Sequence, residues 1–343
     1  MGGNALKSID TRRVDAAEFQ ALVPAVLDTL AGIVGRDRPL CVIEAYRHKP
    51  DFGDMDVLVS ADGLADTYKD EIATAFGSRE VYRNGNVTSF DRNGFQIDLI
   101  AIPAQSFDFA RAYFAWNDLG NLVGRIAHKM GLKFGFEGLH APLRDGDHMF
   151  AEVLVTHDVD QALSFLGYDA ARYREGFDTL EDIFRFTAST RFFNPDIYLL
   201  ENRNATSRVR DAKRKTYSAF LDWLAAPGGL AAARPAPAEG WYRFADDKTS
   251  WRPALRQAFP DFGDRLDAAL ARKARHESAA AIFNGRRVGD ITGLTGQALG
   301  ELMRTLRQPH AGTDALDDWV LAQGEAGVRQ AIEQAAARLK PQR

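Results

Sequence analysis

Aspartate occupies alternate positions of an otherwise apolar segment that reads Asp-Met-Asp-Val-Leu-Val from residue 54. Side chains of a β-strand point to opposite faces with a period of two residues. The pattern therefore predicts a strand with Asp54 and Asp56 on one face. Met55, Val57 and Val59 would lie on the opposite face, where helices can cover them.

A second strand with a single acidic residue is predicted at 95–102, where Asp98 interrupts an apolar run. The preceding segment 91–94, Asp-Arg-Asn-Gly, has the composition of a hairpin turn. If the two strands lie side by side, three carboxylates converge, and such oxygen ligands suit Mg²⁺ or Mn²⁺. Three carboxylates can hold two metal ions about 4 Å apart, as in phosphoryl transfer. An Asp-x-Asp pattern on its own fits a solvated strand edge equally well.

Helical periodicity flanks these strands. Apolar residues recur at helical spacing over 14–34, and 106–129 and 158–190 also read as helical. From Lys133 to about residue 148, a stretch rich in glycine that also contains proline interrupts the helices. Strands of this kind followed by long helical regions predict an α+β fold.

Composition narrows the classes of protein. The chain has 343 residues, 45% of them apolar, which is enough for two or three domains. Its formal net charge of −4 predicts that any nucleic-acid surface is local. The single cysteine, Cys41, forms no internal disulfide and is expected in a strand core. Because we find no signal peptide and no apolar run of about 20 residues, we expect a cytoplasmic location and no membrane partner.

Residues 12–172 resemble the palm and thumb of family X (DNA polymerase beta-like) enzymes of the nucleotidyltransferase superfamily. In that family a Gly-Asp-[Met/Ile]-Asp-Val-Leu segment carries two catalytic aspartates, which Asp54 and Asp56 match, and Asp98 matches the third. The resemblance implies a mixed-sheet palm, a helical thumb and two-metal catalysis with Mg²⁺ or Mn²⁺. It also implies an NTP or dNTP and a DNA or RNA 3′ end as substrates.

The resemblance extends to nucleotide binding. The segment 112–117 is similar to a Tyr-Phe-Thr-Gly-Ser turn beside the nucleotide sugar, although Ala-Trp-Asn replaces its last three residues. Helix positions that follow match thumb residues at the nascent base pair. The Gly-Ser pair that holds the triphosphate is Glu44–Ala45 here, so the basic residues after it would take over part of its task. The implied nucleotide-binding residues are Arg47, His48, Lys49, Tyr113, Phe114, Asn121 and Arg125.

A basic cluster follows the thumb-like region. Six cations and one acid, Asp211, lie between residues 203 and 215, and aromatic residues follow at helical spacing. Cations beside aromatic residues favour a surface that binds phosphates, but a charged helix face over a packed aromatic stripe explains the pattern equally well. The candidate nucleic-acid-binding residues are Arg203, Arg208, Arg210, Lys213, Arg214 and Lys215. About a dozen residues precede the first helix, so the family's amino-terminal gap-binding regions are not expected there.

The carboxyl-terminal part reads as a separate helical module. A linker rich in proline, glycine and alanine precedes it. The segment 283–303 resembles a glycine turn and helix near the carboxyl end of CCA-adding tRNA nucleotidyltransferases and poly(A) polymerases, where they help to hold RNA. The predicted domains are 1–36 (amino-terminal segment and helix), 37–105 (palm), 106–172 (thumb), 173–223 (basic helical extension), 224–240 (linker) and 241–343 (helical tail).

The sequence thus predicts a metal-dependent nucleotidyltransferase, and three functions stay open. A minimal family X-like DNA polymerase is favoured by Asn121 with Arg125. A tRNA 3′-end (CCA-type) nucleotidyltransferase is favoured by the tail. A degenerate, non-catalytic nucleic-acid-binding module is favoured by Glu44–Ala45, while the intact set of three aspartates argues against it.

Overall fold

The computed structural model describes residues 5–230 and 241–339, and a mixed five-stranded sheet forms its first core. Its strands are β2 (Leu40–Val42), β4 (Asp54–Ser60), β5 (Val81–Asn84), β6 (Val87–Arg92) and β7 (Phe95–Ile102), and β1 (Val14–Asp15) pairs separately with β3 (Asp51–Phe52). The strand order is β2-β4-β7-β6-β5. β4 runs parallel to β7, and the other neighbours are antiparallel. The predicted α+β class is confirmed.

One face of this sheet is covered by α1 (Ala16–Val34) and α2 (Tyr68–Phe76). Met55, Val57 and Val59 are fully buried in this core, as the alternation predicts. The predicted first helix is confirmed, and it begins where the Asp15 carboxylate accepts a hydrogen bond from the Glu18 amide at 2.8 Å. Such a cap satisfies an amide that the helix itself leaves unpaired.

Among the described residues, α1 is the one helix long and apolar enough to cross a membrane by length and composition. That α1 meets this criterion was not predicted from the sequence, because its apolar run is shorter than 20 residues and contains polar positions. Its Phe19, Val26, Leu30 and Val34 are buried in the core with the sheet. The length and composition of α1 also fit a helix that packs on a core with one side. Four of its 19 residues are buried, and all four lie in the core with the sheet.

The opposite face of the sheet meets α3 (Phe107–Phe114), which is followed by α4 (Leu119–Lys129). The prediction of helix over 106–129 is therefore confirmed as two helices with a turn between them. Trp116 and Asn117 both have a φ of 60°. This left-handed conformation does not continue a right-handed helix, so α3 ends before these two residues and α4 begins after them. Leu58, Ile100 and Ala110 form the small core under α3.

A second sheet occupies the stretch in which the sequence indicated only an interruption. It contains β8 (Lys133–Gly135), β9 (Gly138–Asp145) and β10 (His148–Thr156), in the order β10-β9-β8. Pro142 lies within β9, and proline normally argues against a strand that is paired on both sides. β8 pairs with β9 only from Gly138 to His140. Pro142 therefore lies beyond the end of β8, and its missing N–H breaks no ladder there.

Helices make up most of the remaining chain. The prediction of helix over 158–190 is confirmed as three separate helices. The helices are α5 (Val159–Phe165), α6 (Ala170–Glu175), α7 (Leu180–Ser189), α8 (Ala205–Ala212), α9 (Lys215–Ala225), α10 (Arg252–Ala258), α11 (Pro260–Ile282), α12 (Gly285–Thr292), α13 (Gly296–Arg307) and α14 (Thr313–Leu339).

The described chain divides into two compact units, one within 1–143 and 152–262 and the other within 144–151 and 263–343. The division at 262–263 differs from the tail boundary predicted after residue 240. The reason is aromatic packing, because the rings of Trp251 and Phe192 lie 5.3 Å apart, and the Tyr242 carbonyl accepts a hydrogen bond from Asn194. Of the predicted linker, residues 231–240 lie outside the described part of the chain.

The second unit has its own helical core, in which Val288, Leu302, Val320 and Ile332 are buried. The predicted glycine turn joins α12 to α13. Gly293 and Gly296 have φ values of 72° and 56°, a conformation that glycine adopts without steric penalty. That this turn holds RNA stays a prediction.

We expect Trp251→Ala to lower the free energy of unfolding of the first unit by about 2 kcal/mol. Trp251 is half-buried and packs against Phe165, Phe192 and Tyr242, so its removal leaves a cavity. Urea unfolding followed by circular dichroism measures the change. Tyr82→Ala, which truncates an aromatic ring that is 47% exposed, is the control and should change it by less than about 1 kcal/mol. Equal effects of the two substitutions would contradict the boundary at 262–263.

Candidate metal centre

Three carboxylates converge where β4 runs beside β7. The parallel register places Asp56 directly opposite Asp98, and Asp54 lies two residues earlier on the same face of β4. One carboxylate oxygen from each of the three lies within 4.8 Å of the others. The sequence prediction of a three-carboxylate cluster is confirmed. An all-oxygen set of this kind fits a hard divalent cation such as Mg²⁺ or Mn²⁺.

The electrostatics of this cluster favour a cation. Burial raises the pKa of Asp56 to about 8, and the negative charges of Asp54 and Asp98 add to the rise. Burial also raises the pKa of Asp98, although hydrogen bonds from Ser89 and Gln96 act against it. Carboxylates that resist ionisation together become good ligands once a positive ion neutralises them. Proton and metal therefore compete for Asp56.

Gln96 holds Asp98 in place. Its Nε2 donates hydrogen bonds to both carboxylate oxygens of Asp98, at 3.0 and 2.9 Å. Its Oε1 accepts a hydrogen bond from the Ala5 amide at 3.0 Å, which fixes the orientation of the side-chain amide. Sequence reasoning missed this residue. The signal available in the sequence was a glutamine two positions before the aspartate in an otherwise apolar strand, a spacing that places both side chains on one face.

Of the three consecutive basic residues predicted to bind the nucleotide, Lys49 is the one whose charge interacts with Asp54 and Asp56. Its ammonium group is 4.4 Å from the centre of the Phe52 ring and is half-buried. Burial lowers the pKa of Lys49, and the charges of Asp54 and Asp56 act in the opposite direction. Lys49 thus supplies positive charge at the site.

Arg47 and His48 are held by another part of the chain. The Arg47 guanidinium donates to an Asp178 carboxylate oxygen at 2.6 Å and also to the Glu175 carbonyl. The backbone amides of Arg47 and His48 donate to the carbonyls of Phe177 and Asp178, at 3.0 and 2.9 Å. The Arg47 side chain and both amides therefore already have partners, while the His48 side chain is exposed.

Glu44, which replaces the expected glycine, has its charge paired. Its carboxylate accepts a hydrogen bond from Arg111 at 2.8 Å, and its carbonyl accepts one from the Trp116 amide at 2.7 Å. A cavity of about 520 Å³ borders this segment and Trp116, but the aspartates do not line it. A carboxylate at this position would repel a phosphate. Arg111 reduces that repulsion, because it pairs with the Glu44 charge.

The two predicted nucleotide-binding residues at the end of α3 differ in surroundings. Phe114 stacks on Phe136, with ring centres 5.9 Å apart, and packs on the small core under α3. Tyr113 is half-buried beside Phe134, and its carbonyl lies close to Gly120 of α4. Phe114 therefore packs on the core under α3, and Tyr113 packs toward α4.

Polar atoms on one face of α4 lack partners among the described residues. Asn117 Oδ1, Asn121 Nδ2 and Arg125 Nε are buried without a hydrogen bond there. Asn121 and Arg125 are four positions apart and so lie on one side of α4, while Asn117 lies in the turn before this helix. Another nitrogen of Arg125 donates to the Ile197 carbonyl at 3.1 Å. Because buried polar atoms are normally paired, these three atoms mark a place for water or a ligand.

The basic cluster at 203–215 is only partly exposed. Arg203 is 5% exposed and pairs with the fully buried Asp211, so the prediction that Arg203 binds nucleic acid is wrong. Arg214 is half-buried and pairs with Asp118. The remaining members are exposed, and they are Arg208, Arg210, Lys213 and Lys215.

No protein-family model matches the chain, and no curated protein matches its sequence. The function must therefore be argued from the site itself.

We expect the apo protein to lose stability as pH rises from about 4 to 8. The folded state holds a proton on Asp56 that the unfolded state releases near pH 4, so the stabilising contribution is complete below that pH and is lost as pH passes 8. At pH 8 without metal, Asp56→Asn should be more stable than the wild type, and at pH 4 the two should be equal. Thermal unfolding measures this. Millimolar Mg²⁺ should stabilise only the wild type, and an equal response of both proteins would contradict the metal centre.

We expect Gln96→Leu to weaken Mn²⁺ binding by roughly 10-fold or more, because Asp98 loses the donor that orients it. Isothermal titration calorimetry measures the affinity. Gln20→Leu, on the exposed side of α1, is the matched control and should leave the affinity unchanged. Unchanged affinity in Gln96→Leu would show that Asp98 needs no orienting partner.

Proposed function

We propose that this protein is a metal-dependent nucleotidyltransferase that adds nucleotides from an NTP or dNTP to the 3′-hydroxyl of DNA or RNA. The observation that supports it most is the triad of Asp54, Asp56 and Asp98 on two adjacent parallel strands. The likeness of residues 12–172 to the palm and thumb of family X DNA polymerases supports the same activity. On this proposal, the sheet with α1 and α3 is a nucleotidyltransferase palm.

The triad would hold the metal ions. Asp54 and Asp56 would bind on the triphosphate side and Asp98 on the side of the attacking hydroxyl. Two bound Mg²⁺ or Mn²⁺ ions would supply charge that neutralises the triphosphate and lowers the pKa of the 3′-hydroxyl. The donor set fits them, because all ligand atoms are oxygen and the carboxylates repel one another without a cation.

The other residues would position the substrates. Lys49 would contact phosphate from its place beside Asp54 and Asp56. Tyr113 would meet the nucleotide sugar, and Asn121 and Arg125 would offer their unpaired nitrogens to the base pair. Because the Arg47 and His48 amides are already bound, phosphate contacts would come from side chains rather than from a loop of amides.

A second candidate is addition to the 3′ end of tRNA. The helical second unit, with its glycine turn between α12 and α13, supports this candidate. The first candidate is favoured by Asn121 and Arg125, whose position suits reading of a template strand. Dependence on a template separates the two.

Extension of labelled 3′ ends tests the proposal. Gapped DNA, single-stranded DNA and tRNA lacking its terminal nucleotides would each be incubated with every NTP or dNTP and Mg²⁺ or Mn²⁺. We expect extension of at least one substrate, and its loss by 1,000-fold or more, an order-of-magnitude estimate, in Asp56→Asn. Binding of all substrates without extension would contradict the proposal and leave a non-catalytic nucleic-acid-binding module.

A further inference from the structure

The basic cluster at 203–215 is organised around one buried acid, Asp211 of α8. Asp211 is fully buried and accepts hydrogen bonds from Arg203 and, at 3.1 Å, from Arg210. The Arg203 guanidinium lies 5.9 Å from the ring centre of Tyr217, which fixes α8 against α9. The buried Arg203 thus balances the charge of the buried Asp211, and the exposed Arg210 adds a positive charge at the surface.

Positive charge is presented to solvent by four side chains, which we call the basic surface: Arg208, Arg210, Lys213 and Lys215. Among the described residues, no carboxylate lies within ion-pair distance of Arg208, Lys213 or Lys215. Val209, in the middle of the segment, is 58% exposed.

The basic surface adjoins the proposed nucleotide site. Arg214, which immediately precedes α9, pairs with Asp118 at the start of α4. Burial raises the pKa of Tyr113, and the positive charges of Arg214 and Arg210 act against the rise. The Arg214–Asp118 pair fixes the basic surface to the same helix that carries Asn121 and Arg125.

We propose that the basic surface binds the phosphate backbone of the nucleic acid strand that is presented to the site. The choice of partner rests on the proposed function. A polyanion fits four exposed cations, three of them without a carboxylate partner among the described residues, on a chain whose formal net charge is −4. Arg203 and Arg214 do not contact the strand; they hold the surface in position.

Two matched double substitutions test the basic surface. Lys213→Gln with Lys215→Gln removes two of its cations, and Arg304→Gln with Arg307→Gln removes two exposed cations of α13. With the Asp56→Asn substitution that all the proteins carry, each double variant has a formal net charge of −5, from −4 plus one minus two. Fluorescence anisotropy would measure binding of a labelled single-stranded oligonucleotide, as DNA and as RNA, between 50 and 200 mM salt. All proteins would carry Asp56→Asn and no nucleotide would be added, so that chemistry plays no part.

We expect the Lys213/Lys215 variant to lower the slope of log affinity against log salt by about 1.4, and its affinity at 0.1 M salt by roughly 25-fold, if each lysine contacts one phosphate. The α13 variant should keep the slope of its parent. Equal slopes in both, or a loss confined to the α13 variant, would overturn the inference. Sedimentation with phosphatidylserine vesicles that only the Lys213/Lys215 variant loses, with oligonucleotide binding intact, would overturn it in favour of a membrane.

Failure of this inference is distinguishable from failure of the proposed function. If 3′ extension occurs and the salt slope does not depend on Lys213 and Lys215, the basic surface is refuted and the nucleotidyltransferase stands. If the slope falls as expected and no substrate is extended, the basic surface stands and catalysis is refuted.

Discussion

The parallel pairing of β4 with β7 is the constraint from which the site follows, because its register places Asp56 opposite Asp98. Two ionised carboxylates about 5 Å apart repel by on the order of 3 kcal/mol at an effective dielectric constant near 20. The same strand offsets this repulsion on its other face, where Met55, Val57 and Val59 are fully buried, each worth roughly 1.5–3 kcal/mol. The sheet can therefore hold the three carboxyl groups together before any cation binds, with a proton on Asp56 below about pH 8.

The segment around Glu44 is held by partners from two other parts of the chain. Arg111 on α3 pairs with the Glu44 carboxylate. The backbone amides of Arg47 and His48 are bound by the carbonyls of Phe177 and Asp178. Positive charge reaches Asp54 and Asp56 from the side chain of Lys49, which follows Arg47 and His48 in the chain. The position of Lys49 therefore depends on contacts made by residues far away in the sequence.

The parts of the site that could be predicted are those encoded within one strand. Period-two alternation was enough to predict the faces of Asp54, Asp56 and Asp98, and the Asn-Gly turn predicted the hairpin before β7. The partners of Glu44, Arg47 and Arg203 could not be predicted, because each comes from elsewhere along the chain or depends on which side of a helix is buried. Counting cations in the sequence therefore overstated the exposed charge at 203–215. The strand containing Pro142 could not be predicted, because the N–H that proline lacks matters only where a neighbouring strand would accept its hydrogen bond.

The turn between α3 and α4 connects the segment beside the carboxylates to α4. Trp116 and Asn117 adopt left-handed conformations that are unfavourable for residues with a side chain, by on the order of 1 kcal/mol each. Two contacts hold this turn: the Trp116 amide donates to the Glu44 carbonyl, and the Trp116 ring packs edge-on against Phe177. Phe177 also accepts the Arg47 amide, so one residue fixes both the turn and the segment before β3. A displacement of either side therefore has to displace the other, which makes the spacing between Lys49 and the unpaired atoms of α4 a property of the fold.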